Sequence, residues 1–244
     1  MSLGCVCLIG ATVTWASPMF TASSSFTPNK LGTPTNLATE ATFASEGAAP
    51  APLSEVVTYA PAGMGVDLHG MGACEKVKLE EEGPRGCPEG SRIGFGGGVG
   101  LVQVAKEPVK EPYTLDLFLG PRQSGRLLIL IYVDAAAPVS LQLVLAAREI
   151  RAPRPYGFGF AVAIPPIYTL PGAADASLES TYLSLGGASI AYYRDARARR
   201  GLMHVRGLVV PKSCPRGGFP FKTVVSFESG ATETDSYTSP CPRA

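Results

Sequence analysis

The chain has 244 residues, of which 28 are Gly and 22 are Pro, and interior prolines at that density exclude a helical bundle, since each would cost a helix about 3 kcal/mol. Hydrophobic residues make up 45% of it, an ordinary globular fraction that excludes a disordered Pro/Gly polymer. With 21 Lys and Arg against 20 Asp and Glu the net charge is +1, so no global field draws in nucleic acid or an anionic membrane.

Residues 1–16, MSLGCVCLIGATVTWA, form an uncharged apolar run that reads as a secretory signal segment, with Thr14 and Ala16 as the small residues before cleavage. The basic residues that usually open such a signal are missing. The run is shorter than the roughly 20 residues a bilayer core requires, so no integral membrane span is expected. Residues 17–35 are rich in Ser, Thr and Pro and read as an extended leader or edge segment ahead of one β-sandwich domain, 36–244. A weak boundary falls near 108–112, PVKEP.

Past the leader the hydrophobic period is two. Alternation predicts strands at 37–43, 53–59 and 64–68, the last two joined by the turn Ala60-Pro61-Ala62-Gly63. Residues 75–82, EKVKLEEE, are the one good helix candidate, about two turns long and ended by Gly83-Pro84. Strands follow at 91–104, 113–119 and 126–133; the last contains LLILIYV, a continuous apolar run that fits a central strand covered on both faces. Further strands are predicted at 139–146, 158–164, 178–185, 189–193, 202–210, 222–227 and 232–237, with a hairpin turn at Glu228-Ser229-Gly230-Ala231. The predicted fold class is all-β, an antiparallel β-sandwich with one short helix inside a disulfide loop.

Cleavage of the signal would remove Cys5 and Cys7 and leave Cys74, Cys87, Cys214 and Cys241, which allow three pairings. The two local ones, Cys74–Cys87 and Cys214–Cys241, are expected, because each brackets a compact segment and Cys87 and Cys214 both open a Cys-Pro-x-Gly. Each would contribute about 3 to 4 kcal/mol by loop-closure entropy. A metal site is not expected: the mature chain has no CxxC, and His69 and His204 lack ligand spacing to any Cys. No cofactor is expected either.

Gly94-Phe95-Gly96-Gly97-Gly98-Val99-Gly100 invites comparison with a dinucleotide fingerprint, but the third glycine of G-x-G-x-x-G would fall on Val99 or Leu101, and a strand follows instead of a helix. It reads as a strand that another backbone or bulky side chain approaches closely. Asp67 and His69, two apart on one strand face, lack a third partner, and Gly90-Ser91-Arg92-Ile93-Gly94 is not a nucleophile elbow. Paired carboxylates are the remaining catalytic option. Asp116, on the face of Phe118, and Asp134, which closes LLILIYV, are the weak ligand candidates, although Trp15, the one Trp, lies in the signal and leaves no indole platform. Arg194, Arg197, Arg199 and Arg200 form a cluster that reads as an anionic-polymer contact or as a charged hairpin tip protecting strand edges.

From Cys74 through the short acidic helix to Gly83-Pro84-Arg85-Gly86-Cys87-Pro88-Glu89-Gly90-Ser91-Arg92-Ile93-Gly94, the chain resembles a group of uncharacterised exported β-rich proteins of high-GC Gram-positive bacteria. The resemblance also covers Ser25-Phe26-Thr27-Pro28-Asn29-Lys30-Leu31-Gly32-Thr33-Pro34-Thr35, Pro211-Lys212-Ser213-Cys214-Pro215-Arg216-Gly217-Gly218-Phe219-Pro220-Phe221 and Pro240-Cys241-Pro242. It implies secretion, a β-sandwich and disulfides, and no reaction. The expectation is a secreted or cell-surface, non-enzymatic structural or adhesion module whose partner is a cell-wall polymer or another surface protein. The alternative is a carbohydrate-binding or carbohydrate-active domain using Asp116 or Asp134.

Overall fold

A computed structural model describes residues 20–44, 49–104, 107–167, 176–186 and 206–242. In chain order its elements are β1 (Phe20–Thr27), β2 (Pro34–Phe43), β3 (Leu53–Pro61), β4 (Gly65–Asp67), α1 (Lys76–Glu82), β5 (Arg92–Val104), β6 (Glu107–Leu119), β7 (Leu128–Ala135), β8 (Leu141–Ile150), β9 (Tyr156–Ala163), β10 (Ser177–Gly186), β11 (Gly207–Val209), β12 (Phe219–Phe227) and β13 (Thr232–Ser239). The described residues are all-β with one short α-helix, as the sequence predicts. The expected signal segment, the strand at 189–193 and residues 202–205 of another lie outside the described residues.

Part of the expected leader is a strand. In β1 the Ser/Thr composition hides a period-two pattern in which Phe20, Ser24 and Phe26 turn inward, and the strand pairs with β2 from Phe20–Phe43 to Thr27–Asn36. Residues 108–112 lie inside β6, in the stretch that β5 still flanks but β7 no longer reaches, where a strand tolerates the missing proline N–H.

All strands pair antiparallel, in the order β13-β12-β3-β9-β8-β7-β6-β5-β10-β2-β1, with β11 and then β4 added beside the first residues of β2. The two layers expected of a sandwich are halves of this one continuous sheet, which rolls until its edges β1 and β13 lie side by side. That seam is held by side chains. The Asp235 carboxylate accepts the Ala22 backbone N–H at 2.7 Å, and a row of hydroxyls crosses inside the roll: Thr39 to Ser24 at 2.9 Å and Ser24 to Tyr237 at 3.0 Å.

Alternation explains the polarity. In β12, Phe219, Phe221, Thr223, Val225 and Phe227 are all buried and the residues between them half-buried, while on β1 Thr21, Ser23, Ser25 and Thr27 face out. On these two strands the inner phase is mostly apolar, with Ser24 and Thr223 as buried hydroxyls, and the exposed phase of β1 is wholly hydroxyl-bearing.

The roll depends on the glycines of β5. Gly94, Gly96 and Gly98 alternate on the inner face opposite Leu117, Leu115 and Tyr113. A methyl group on Gly96 would lie 2.2 Å from the Tyr182 carbonyl oxygen, and one on Gly98 would lie 2.1 Å from that of Ser180. Only hydrogen at these positions lets β10 approach so closely, and such glycines mark the tight bends of rolled sheets.

The Cys74–Cys87 and Cys214–Cys241 disulfides are both formed. The first closes the loop that carries α1, but the helix sits on a face of the sheet, not on its edge: Leu79 is fully buried with Cys74, Phe118, Leu128, Leu130 and Tyr132. Strand β7 is therefore covered on both faces, by α1 outside and by the core of Leu115, Leu117, Ile129 and Ile131 inside, as its unbroken apolar run predicts.

Candidate functional site

Rolling the sheet leaves a space that its side chains do not fill. At the end where β6, β8 and β10 begin and β7 and β9 finish, an apolar cavity of about 210 Å³ runs into the lumen. Its wall is built from the inner face of seven strands, with Val56 of β3, Val102 of β5, Leu115 of β6, Val133 of β7, Leu143 of β8, Val162 of β9 and Leu183 of β10 as representative contributors. The register places these side chains in phase: Leu115 lies beside Val133, which lies beside Leu143. For scale, an engineered apolar cavity of about 150 Å³ stays dry and binds benzene.

The opposite end is closed. Leu68 and Leu208, from the segments around β4 and β11, meet Ile93, Leu119 and Ile129 and leave a residual space of only about 30 Å³. Both disulfides and α1 lie toward this end, since the Cys74 N–H bonds the Leu119 carbonyl at 2.7 Å and Cys214 packs with the cluster of Phe26, Met64, Leu208 and Phe219.

A few polar groups interrupt the apolar wall of the open end. Glu111 belongs to the inward-facing phase of β6 with Tyr113, Leu115, Leu117 and Leu119, is only 4% exposed, and accepts the Val139 backbone N–H on Oε1 at 3.1 Å. Tyr113 extends past Gly98 so that its hydroxyl donates to the Ser180 carbonyl oxygen at 3.1 Å. Burial pushes this phenol up to about 12, against a smaller downward pull from the Thr181 hydroxyl. Ser177, Thr181 and Glu228 complete the polar lining. Burial likewise raises the Tyr237 phenol at the seam, with the Ser24 and Thr223 hydroxyls opposing the shift.

The two carboxylates singled out from sequence, Asp116 and Asp134, do not line this cavity, whereas Gly100 of the glycine run does. Asp116 is on the outer face of β6, ion-paired with Arg92, and Asp134 is on the outer face of β7, where it accepts Gln142 Nε2 at 3.1 Å. The register makes the two carboxylates diagonal neighbours, with Tyr132 beside Asp116 and Thr114 beside Asp134. The exposed rings of Phe95 and Tyr182 share that outer face. Asp67 and His69 are not two residues of one strand: β4 ends at Asp67, whose carboxylate accepts the His69 backbone N–H at 3.3 Å in the turn that follows. Arg194, Arg197, Arg199, Arg200 and His204 lie outside the described residues. Among the described residues no group of three or more His, Cys, Asp or Glu is placed to hold a metal ion, and no helix is long and apolar enough to cross a membrane.

Sequence reasoning missed the cavity because a lumen-facing leucine and a core leucine obey the same period. One signal was available: Glu111 is in phase with Tyr113, Leu115, Leu117 and Leu119, so a carboxylate occupies a position where the pattern demands an apolar residue. No protein-family model, curated protein or solved structure matches the chain.

Proposed function

We propose that this protein is a non-enzymatic binding module that holds an apolar or amphiphilic small molecule in the lumen of its rolled sheet. The observation that carries the reading is the cavity of about 210 Å³, apolar on most sides, with a few polar groups at one end. Mouths of rolled and closed sheets are recurrent places for such sites, in which apolar walls supply affinity and scattered polar groups fix orientation. The reading narrows the expected extracellular module to one with an internal ligand. The two disulfides fit an oxidising compartment, and with it the secreted or cell-surface location that the N-terminal run suggests.

A lipophilic fluorophore such as N-phenyl-1-naphthylamine tests it. The expected result is saturable enhancement, displaced by straight-chain alcohols whose affinity rises about fourfold per added methylene, the increment for burying a CH₂. Leu143→Arg, which sets a cation in the wall, should abolish binding while thermal unfolding stays cooperative. Absence of enhancement in the folded wild type, or unchanged binding in the folded variant, would remove the lumen as the site.

A second reading, carbohydrate binding on the outer face, is favoured by Phe95 and Tyr182, which are 41% and 48% exposed and share that face with Asp116 and Asp134. Phe95→Ala and Tyr182→Ala should then each weaken retention on an oligosaccharide affinity gel, leaving fluorophore binding intact. Retention of both variants equal to that of the wild type would eliminate this reading.

A further inference from the structure

The charges at the open end of the lumen say which amphiphile fits, an inference that rests on the lumen being the binding site. The Glu111 carboxylate lines the cavity, and no Lys, Arg or His is among the described residues that line it. Glu111 is 4% exposed, and none of the three ion pairs among the described residues includes it. Its Oε1 accepts the Val139 N–H, which leaves most of the acceptor capacity of a carboxylate, roughly four lone-pair sites, for another donor.

Position makes this consequential. Glu111 lies one inward-facing step beyond Tyr113, which is paired with the last residue of β7, so the carboxylate stands at the rim while Leu115, Ile131 and Leu145 lie deeper. A chain entering tail first would bring its head group to Glu111. Ser177 and Thr181 add hydroxyls on the β10 side of the same lining.

We infer that the lumen takes a single-chain amphiphile whose head donates hydrogen bonds and bears no negative charge, a protonated amine before an alcohol, and that it rejects fatty carboxylates. Inside a low-dielectric rim two carboxylates repel strongly, whereas an ammonium or hydroxyl supplies the donor that Glu111 can accept.

Displacement of N-phenyl-1-naphthylamine from the wild-type chain by decylamine, decanol and decanoate at neutral pH, below their micellar concentrations, tests the inference. Decylamine should bind tightest, decanol next, and decanoate at least about tenfold more weakly than decylamine. Glu111→Gln keeps an amide oxygen for the Val139 N–H, and it should bring decylamine to within about threefold of decanol without altering decanol itself. Decanoate binding as tightly as decylamine, or an amine preference unchanged in Glu111→Gln, would overturn the head-group assignment while the lumen stands. Failure of the fluorophore and all three ligands to bind would instead overturn the lumen, and the assignment with it.

Discussion

Two glycines of β5, two residues apart on one face, should respond oppositely to the same substitution. A methyl group on Gly98 would lie 2.1 Å from the Ser180 carbonyl oxygen and 2.6 Å from the Tyr113 hydroxyl, whereas on Gly100 its nearest neighbours would be the Glu111 and Ser177 carbonyl oxygens at 3.6 Å. Gly98→Ala must therefore push β10 away by about an ångström and displace the Tyr113 hydroxyl from Ser180. Overpacking costs about 1 to 3 kcal/mol, and the broken hydrogen bond adds about 1 kcal/mol. Reduced freedom of the unfolded chain offsets about 0.4 to 1 kcal/mol of this, leaving a net loss of about 1 to 3.5 kcal/mol. For a domain of this size that lowers Tm by about 2 to 14 °C. Gly100→Ala experiences the unfolded-state effect with only ordinary contact, so it should be neutral or up to about 1 kcal/mol more stable. Urea titration with a common m-value, together with thermal unfolding, measures both. Equal stability of the two variants would refute close approach of β10 as the reason for glycine at 98. Because Gly98 also sets where Tyr113 stands at the cavity, Gly98→Ala should weaken fluorophore binding as well.

Leu79→Ala, which empties the fully buried contact between α1 and β7, should cost about 3 kcal/mol, while Val77→Ala on the exposed side of the same helix should change stability by less than about 0.5 kcal/mol in the same titration. Tyr113→Phe should cross the wild type in a stability–pH profile. The wild-type phenol, raised to about 12 by burial, contributes roughly 2 kcal/mol, discounted for its contact with the cavity, that is fully present below pH 10 and lost by about pH 12. The variant should thus be about 1 kcal/mol less stable at neutral pH, for want of the bond to Ser180, and more stable than wild type at pH 12. Parallel profiles would contradict the raised phenol. Asp235→Ala removes the acceptor of the Ala22 N–H at the seam and should cost about 1.5 to 3 kcal/mol, with hydrogen exchange speeding up in β1 well before β7.

Legibility followed the period of each segment. Strand β7 was readable because seven consecutive apolar residues have one cheap solution, burial on both faces, and α1 was readable because Gly83-Pro84 stops it. The two local disulfides could be read from loop compactness. Strand β1 was legible only as an extended leader or an edge segment, since its hydroxyl-rich composition resembles a linker and only Phe20 and Phe26 mark its inner face. The glycines of β5 could be assigned to a strand closely approached by a neighbour, but the neighbour, β10, comes some eighty residues later in the chain and no local pattern names it. The carboxylates that drew attention, Asp116 and Asp134, are the outward residues of their strands, whereas Glu111 on the inward phase went unnoticed because acidity within a short PVKEP stretch reads as surface.

The same features that build the roll divide it into a fixed end and an open one. Both disulfides, α1 and the cap formed by β4 and β11 gather where β6 ends and β7 begins, so covalent and packing constraints accumulate around Leu119, Leu208 and Phe219. The other end is bounded by turns, among them the β12–β13 hairpin, where Gly230 takes a φ of +83° and donates to the Phe227 carbonyl. Local opening free energies fall where buried apolar contacts are few, so the open end is where a ligand could enter without disturbing the cross-links. Filling the roll to ordinary density would take larger inward side chains on β5, but at Gly94, Gly96 and Gly98 the carbonyl groups of β10 stand so close that only hydrogen fits, and Gly100, where a methyl group would meet only ordinary contact, lines the cavity. The cavity is thus a geometric consequence of the bend, and the carboxylate at its rim is what turns a packing deficit into a site with a chemical preference.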